Sequence, residues 1–366
     1  MKKNNVNKRF NTLLKTTMLG TLMLSGGLPL VKVQAAITLD EAKKVTLFGD
    51  VRLRAESDSR SDDNGVGDTD RNRLRVRARI GVGYKANKQW SGKLRLATSS
   101  ESLNSPYKTF GTKDQGNGDF GLDQAYLTYT PIKNLALLGG KIPLKFWQQN
   151  EQFWDEDINP DALAAVYKIN SITINGNYVV LENGNWGAEI STTILQVVQQ
   201  AKLNKLDYTV ALGTAHVKLP DPTTYQAKDH WQLSGQLKSG KWLAGLDYLE
   251  SDANTESTAY VVQGRYKVLS DLELSLYYYH VEAFAPLGDG TYSQDNWPNP
   301  GNTGVSNFEG FRLQLDYKVA SNTSVDVRYY DAQQITDDTT LPTTSSDAIM
   351  TRRDHSRLQV NLTVKF

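Results

Sequence analysis

The chain lacks cysteine altogether and has only four histidines among its 366 residues. Without cysteine there is no disulfide scaffold, no thiolate metal site and no cysteine nucleophile. It also lacks the long apolar runs of a helical membrane protein. Mean hydropathy is −0.48, whereas each spanning helix needs about 20 mostly apolar residues in succession. It lacks an excess of either charge, with 41 basic against 40 acidic residues, so no polybasic grip on nucleic acid is implied. None of these absences argues against a membrane β-barrel, in which lipid-facing and lumen-facing residues alternate and average out.

The first 35 residues read as a signal peptide. Lys2, Lys3, Lys8, Arg9 and Lys15 form a basic start, Met18 to Val31 an apolar stretch, and Val33-Gln34-Ala35 a small-residue cleavage site. Gly26, Gly27 and Pro29 break the apolar stretch, which is too short for a membrane anchor. Cleavage near Ala35 leaves 36–366 as the mature protein, with 35 basic against 40 acidic residues. Zero cysteine fits export to an oxidising compartment.

What the mature chain does have is alternation. In Arg357-Leu358-Gln359-Val360-Asn361-Leu362-Thr363-Val364-Lys365-Phe366 every even position is apolar and every odd one polar. A period of two means a strand with one oily and one wet face. Phe311 to Val319, Leu272 to Tyr278, Trp231 to Leu237 and Leu47 to Arg54 repeat it. Sixteen strands are expected, centred near residues 51, 77, 94, 124, 138, 166, 176, 195, 211, 234, 246, 262, 276, 313, 327 and 361. Seven connections are short. The eight between them are mostly longer and rich in Asp, Gly, Asn, Thr and Pro, such as 58–69, 99–118, 282–306 and 331–355. Short turns at one end and long loops at the other are the plan of an outer-membrane barrel.

A soluble sandwich would bury the oily faces against a second sheet. Two features favour lipid instead. The wet faces carry too much charge for a packed interior, and aromatics gather near strand ends (Tyr84, Tyr129, Tyr167, Tyr178, Tyr248, Tyr266, Tyr317, Tyr329 and Phe366), as interfacial girdles require. The fold expected is therefore all-β: a transmembrane antiparallel up-and-down barrel of sixteen strands.

One strand carries Arg71, Arg73, Arg75, Arg77 and Arg79 on one face and Leu74, Val76, Ala78 and Ile80 on the other. An arginine facing lipid costs about 2–4 kcal/mol at the bilayer midplane. Three central ones would cost roughly 6–12 kcal/mol, comparable to a domain's whole stability. The column must face water. Arg52 and Arg54 on one neighbouring strand, Lys93 and Arg95 on the other, extend it into a basic wall, partly neutralised by Asp50 and Glu56. Closure of the barrel would add Arg357.

The third long connection begins at Ile142. It combines Phe146, Trp147, Phe153 and Trp154 with Glu151, Asp155, Glu156 and Asp157. A loop folded into the barrel would pack those rings on the inner wall and set its acids against the arginines, creating a transverse field.

By these residues the chain resembles a bacterial outer-membrane porin, of the group called putative porins. The resemblance rests on Phe48-Gly49-Asp50-Val51-Arg52-Leu53-Arg54, the arginine strand, Leu94-Arg95-Leu96-Ala97-Thr98, Leu122-Asp123-Gln124-Ala125-Tyr126-Leu127 and Gly139-Gly140-Lys141-Ile142-Pro143. It implies a 16-stranded barrel, commonly a homotrimer, with the third loop folded inward and passive diffusion of small hydrophilic solutes and ions. It also implies a constriction with Arg52, Arg54, Arg73, Arg75 and Arg77 opposite Glu151, Asp155 and Asp157. Phe366 resembles the terminal signal read by the barrel-assembly machinery. Outer-membrane lipid and lipopolysaccharide are the implied surroundings.

An outer-membrane hydrolase is the competing class. Asp229-His230 and Asp354-His355 lie near loop-to-strand junctions, where Asp-His pairs could activate water. Adjacent strand residues face opposite ways, so neither pair is a dyad by itself, and the mature chain has no G-x-S-x-G. No enzyme and no cofactor are expected. Asp58, Asp62, Asp63, Asp68 and Asp70 could offer oxygen ligands to calcium but lack EF-hand spacing, and no metal is assigned. A closed adhesive barrel is the third class, distinguished by passing no ions. Selectivity stays open between a general channel and one preferring anions or phosphate, since arginine pairs well with both phosphate and carboxylate.

Overall fold

The computed structural model describes residues 37–39, 44–62, 69–98, 105–111, 119–182, 189–219, 226–293, 305–336 and 353–366. The expected signal peptide (1–35) and calcium-ligand candidates Asp63 and Asp68 lie outside the described residues.

Sixteen antiparallel strands close on themselves. They are β1 (Val45–Asp62), β2 (Thr69–Lys85), β3 (Trp90–Thr98), β4 (Phe120–Ile132), β5 (Leu135–Lys141), β6 (Asp161–Ile169), β7 (Ile172–Glu182) and β8 (Ile190–Leu203). The second half comprises β9 (Leu206–Lys218), β10 (Asp229–Ser239), β11 (Trp242–Ser251), β12 (Thr258–Lys267), β13 (Leu272–Val281), β14 (Phe308–Ala320), β15 (Thr323–Gln334) and β16 (Arg353–Lys365). Each strand pairs with its sequence neighbour. β16 returns to β1 with Lys365 opposite Asp50 and Arg353 opposite Asp62, so no edge is left open. Every strand centre expected from the alternation falls inside a strand.

The seven short connections join one end of the cylinder. Three are two-residue turns that begin with positive φ: Asn170 (51°), Asn204 (56°) and Gly240 (58°). Residue types that tolerate this backbone are what primed hairpin turns demand. At the other end the first connection is shorter than the expected 58–69. β1 runs on to Asp62 and β2 begins at Thr69, because Asp58 and Arg71 pair across the strands and keep the ladder going.

The oily face is outside. Leu53, Leu74, Ile80, Leu94, Leu212, Leu233, Leu276 and Leu313 are all exposed on the isolated chain. On β14 the outer row reads Phe311, Leu313, Leu315, Tyr317. Six residue steps at ~3.4 Å separate the two rings by about 20 Å, close to the apolar band of an outer-membrane barrel. Trp90 stacks on Tyr129 at 4.5 Å, and Trp242 meets Tyr266 at 4.4 Å, both beside turns. The chain end is also fitted. Gly49 and Phe366 exchange both backbone hydrogen bonds, at 2.9 and 3.0 Å. A Cβ on Gly49 would meet the Phe366 ring at 2.5 Å, so only glycine leaves room for the terminal ring.

Candidate functional site

The register of β1 on β2 organises the arginine wall. Three of the five column arginines face an acid directly across the ladder: Arg71 opposite Asp58, Arg73 opposite Glu56, Arg79 opposite Asp50. The other two face like charges, Arg75 opposite Arg54 and Arg77 opposite Arg52. Directly opposed like charges destabilise a sheet, so these four need other partners.

Tyr107 is one of them. Its ring lies 4.1 Å from the Arg54 guanidinium carbon, 4.8 Å from that of Arg75 and 5.6 Å from that of Arg77. A desolvated cation–π contact contributes about 2 kcal/mol. Tyr107 reaches this position because Lys108–Thr109 pair with Arg75–Val76, beyond the end of β3. Arg54 also donates to Asn361 on β16 at 2.7 Å, and Arg52 to Thr363 at 2.8 Å. Arg75 donates to Ser105 at 2.8 Å.

Exposure varies along the column. Arg54 is only 2 % exposed and Arg75 8 %. Arg73 is tied to Glu56, which is buried and also accepts from Gln359. Arg77 is as deeply covered, at 3 %, whereas the Arg73 side chain is 20 % exposed. Arg52, Arg77, Arg79 and Arg95 border a cavity of about 520 Å³. Arg95 pairs with Asp123. Lys93 lies below them, its Nζ 4.4 Å from the Phe48 ring centre.

The connection 142–160 crosses this space. Trp147 N–H donates to Gln196 on β8 at 2.7 Å, and Lys145 N–H to Asn177 on β7 at 3.1 Å. Gln149 donates to Gly235 on β10 and Asp247 on β11. From the far side Arg77 and Arg79 donate to Asp157 at 3.0 and 3.1 Å. A segment touching polar faces of β2, β7, β8, β10 and β11 lies within the cylinder. Two of its rings pack on each other, Phe146 on Phe153 at 4.5 Å, and Trp154 is buried.

The four acids of this connection part company. Asp157 faces the arginines. Glu156 is exposed and borders the cavity. Asp155 is 2 % exposed and accepts the backbone N–H of Asp157 at 2.7 Å, which shapes the turn. Glu151 is pushed up to about 7, first by desolvation, then by the charges of Glu156 and Asp157, against the pull of Arg328 and Arg312.

Sequence reasoning missed a second inward connection. Ala283, Phe284, Ala285 and Leu287 are buried, and Tyr292 stacks on Trp154 at 5.3 Å. Tyr292 C=O accepts from Asp155 N–H at 2.8 Å, and Ser293 donates to Gln152 C=O at 2.7 Å. The signal was available: Phe284-Ala285-Pro286-Leu287 is too apolar for a loop in water. Tyr107 and its place among the arginines left no such trace.

Asp229 and His230, adjacent in the chain, part across the sheet. Asp229 contacts His216 across the ladder at 2.6 Å, while His230 is buried on the other face. Arg60 donates to His355 at 3.3 Å. Among the described residues no group of three or more His, Asp or Glu side chains could hold a metal ion.

Comparison with known proteins agrees with this geometry. The family model described as "Putative porin" matches residues 65–237. No curated protein matches the chain in sequence. Among solved structures, a triple mutant of the Rhodopseudomonas blastica porin shares 12% identity, covering 88% of this chain and 100% of its own, with a TM-score of 0.56. Pseudomonas putida OprB shares 13%, covering 89% and 95%, with a TM-score of 0.59. At such identities the likeness speaks for the fold. The closed sixteen-stranded cylinder thus has the fold of these porins, and the family match over 65–237 points the same way.

Proposed function

We propose that the chain forms a water-filled channel through the bacterial outer membrane for passive diffusion of ions and small hydrophilic solutes, and that its narrow point lies between the arginines of β1–β3 and the connection 142–160. The observation that carries this is the contact of Arg77 and Arg79, on the wall, with Asp157, on the crossing segment. This pairing pins the crossing segment to the wall, and the charges that border the cavity of about 520 Å³ beside it orient dipolar solutes and tune ion passage. No catalytic step is assigned to any residue.

A preference for anions is the second reading. Around the cavity Arg52, Arg77, Arg79, Arg95 and Lys365 outnumber Glu156 and Asp157, and local lining charge governs selectivity more than net charge does. The rest of the reading is export by cleavage near Ala35, insertion through the assembly machinery with Phe366 as signal, residence among lipid and lipopolysaccharide, and a homotrimer.

A planar-bilayer recording tests it. Stepwise conductance in KCl is expected, with triplet steps for a trimer, and the reversal potential in a KCl gradient reports selectivity. Silence from protein with heat-modifiable gel mobility would overturn the channel.

A further inference from the structure

We propose that a second anion-holding station lies on the same wall, at the turn end of the barrel below Arg79 and Arg95, and that it takes small multivalent anions. The inference rests on the channel reading above and adds a stopping point to it.

The arginine column of β2 does not end at random. The next two positions on the same face are Gly81 and Gly83. Room left by Gly81 is taken by Phe48, whose ring a Cβ there would meet at 2.5 Å. Beside Gly83 the wall recedes into a hollow of about 490 Å³. Lys44, Lys85, Lys88 and Lys93 border it, with the hydroxyls of Thr46 and Thr128, and no carboxylate among the described lining residues.

That contrast is the argument. Higher on the wall the cations have acids: Arg79 has Asp50 and Asp157, and Arg95 has Asp123. Their fields are largely spent within the protein. In the hollow four ammonium groups share one concave surface, which concentrates counter-ions. Lysine binds phosphate-type groups as a point charge, without the fixed fork of arginine. Such binding is loose enough to release the ion, as a transit site requires. Lys93, held over Phe48 and one step along the face from Arg95, links the hollow to the cavity above.

The test uses full-length folded protein and inorganic pyrophosphate as probe, by bilayer current and by calorimetry in detergent. Pyrophosphate is expected to block KCl current and to bind in the calorimeter. In the Lys85→Gln, Lys88→Gln double variant the half-blocking concentration should rise about tenfold or more, from losing two charge-assisted contacts. KCl conductance itself should persist. Lys205→Gln, on another turn, should leave the block unchanged.

An open channel that pyrophosphate neither blocks nor binds overturns the station while leaving the channel. So does block that is equal in the double variant, or weakened as much by Lys205→Gln. If folded protein passes no KCl current, the channel reading falls. Calorimetric binding that is lost in the double variant then still upholds the hollow as a site.

Discussion

Arg77 Nη1 lies 3.0 Å from one carboxylate oxygen of Asp157 and 3.1 Å from the other. This contact ties the barrel wall to the segment that crosses the lumen. Arg79 shares the same carboxylate and, with Arg77, also holds Asp50. One acid on the crossing segment thus answers two wall arginines.

Asp157→Asn should therefore move selectivity towards anions. The reversal potential in a KCl gradient checks this. The shift should be largest at about 0.1 M salt and small near 1 M, where the screening length falls from ~10 Å to ~3 Å. Unchanged selectivity at low salt would remove Asp157 from the ion path.

The arginines should divide by role. Arg52→Ser and Arg95→Ser, which border the cavity, should shift selectivity towards cations with little loss of stability. Arg73→Ser leaves Glu56 buried beside one fewer cation. Breaking a buried pair costs about 3–5 kcal/mol, so this variant should unfold at lower denaturant while changing the reversal potential less. Equal effects of all three on selectivity would refute the division.

Glu151 supplies a pH dependence. Its folded-state value, about 7, is above the ordinary 4.5, so it is protonated below neutrality and charged above. Between pH 8 and pH 6 the lumen loses one negative charge, and selectivity should move towards anions. The folded state binds more protons than the unfolded between about 4.5 and 7, so stability from this group falls as pH rises through that window. Glu151→Gln should flatten both responses.

Gly49→Ala should impair closure. The new Cβ would collide with the Arg79 carbonyl oxygen and lie 2.5 Å from the Phe366 ring. A smaller heat-modifiable fraction on gels is expected, as is the same defect on deleting Phe366. Normal folding of Gly49→Ala would show that the terminal ring can be displaced freely.

Alternation determined the barrel. A period of two needs only the residues themselves, so Leu358 to Phe366 and the arginine strand declare their faces without reference to anything distant. Strand count, the ends holding turns and loops, and the inward direction of the arginines follow from pattern and from the cost of charge in lipid. The rings of Phe153 and Trp154 likewise marked the connection 142–160 as needing cover. Partners across the barrel were another matter. Whether Arg77 meets Arg52 or an acid depends on the register of β1 on β2, and which β16 residues lie beside β1 depends on closure between Lys365 and Asp50, more than 300 positions apart in the chain. That Tyr107 would roof three guanidinium groups, that Asp155 would accept the N–H of Asp157, and that Tyr292 would stack on Trp154 were decided by loops meeting in a confined space. Such contacts leave no period in the sequence, because no repeated geometry makes them; only the folded cylinder brings those residues within reach.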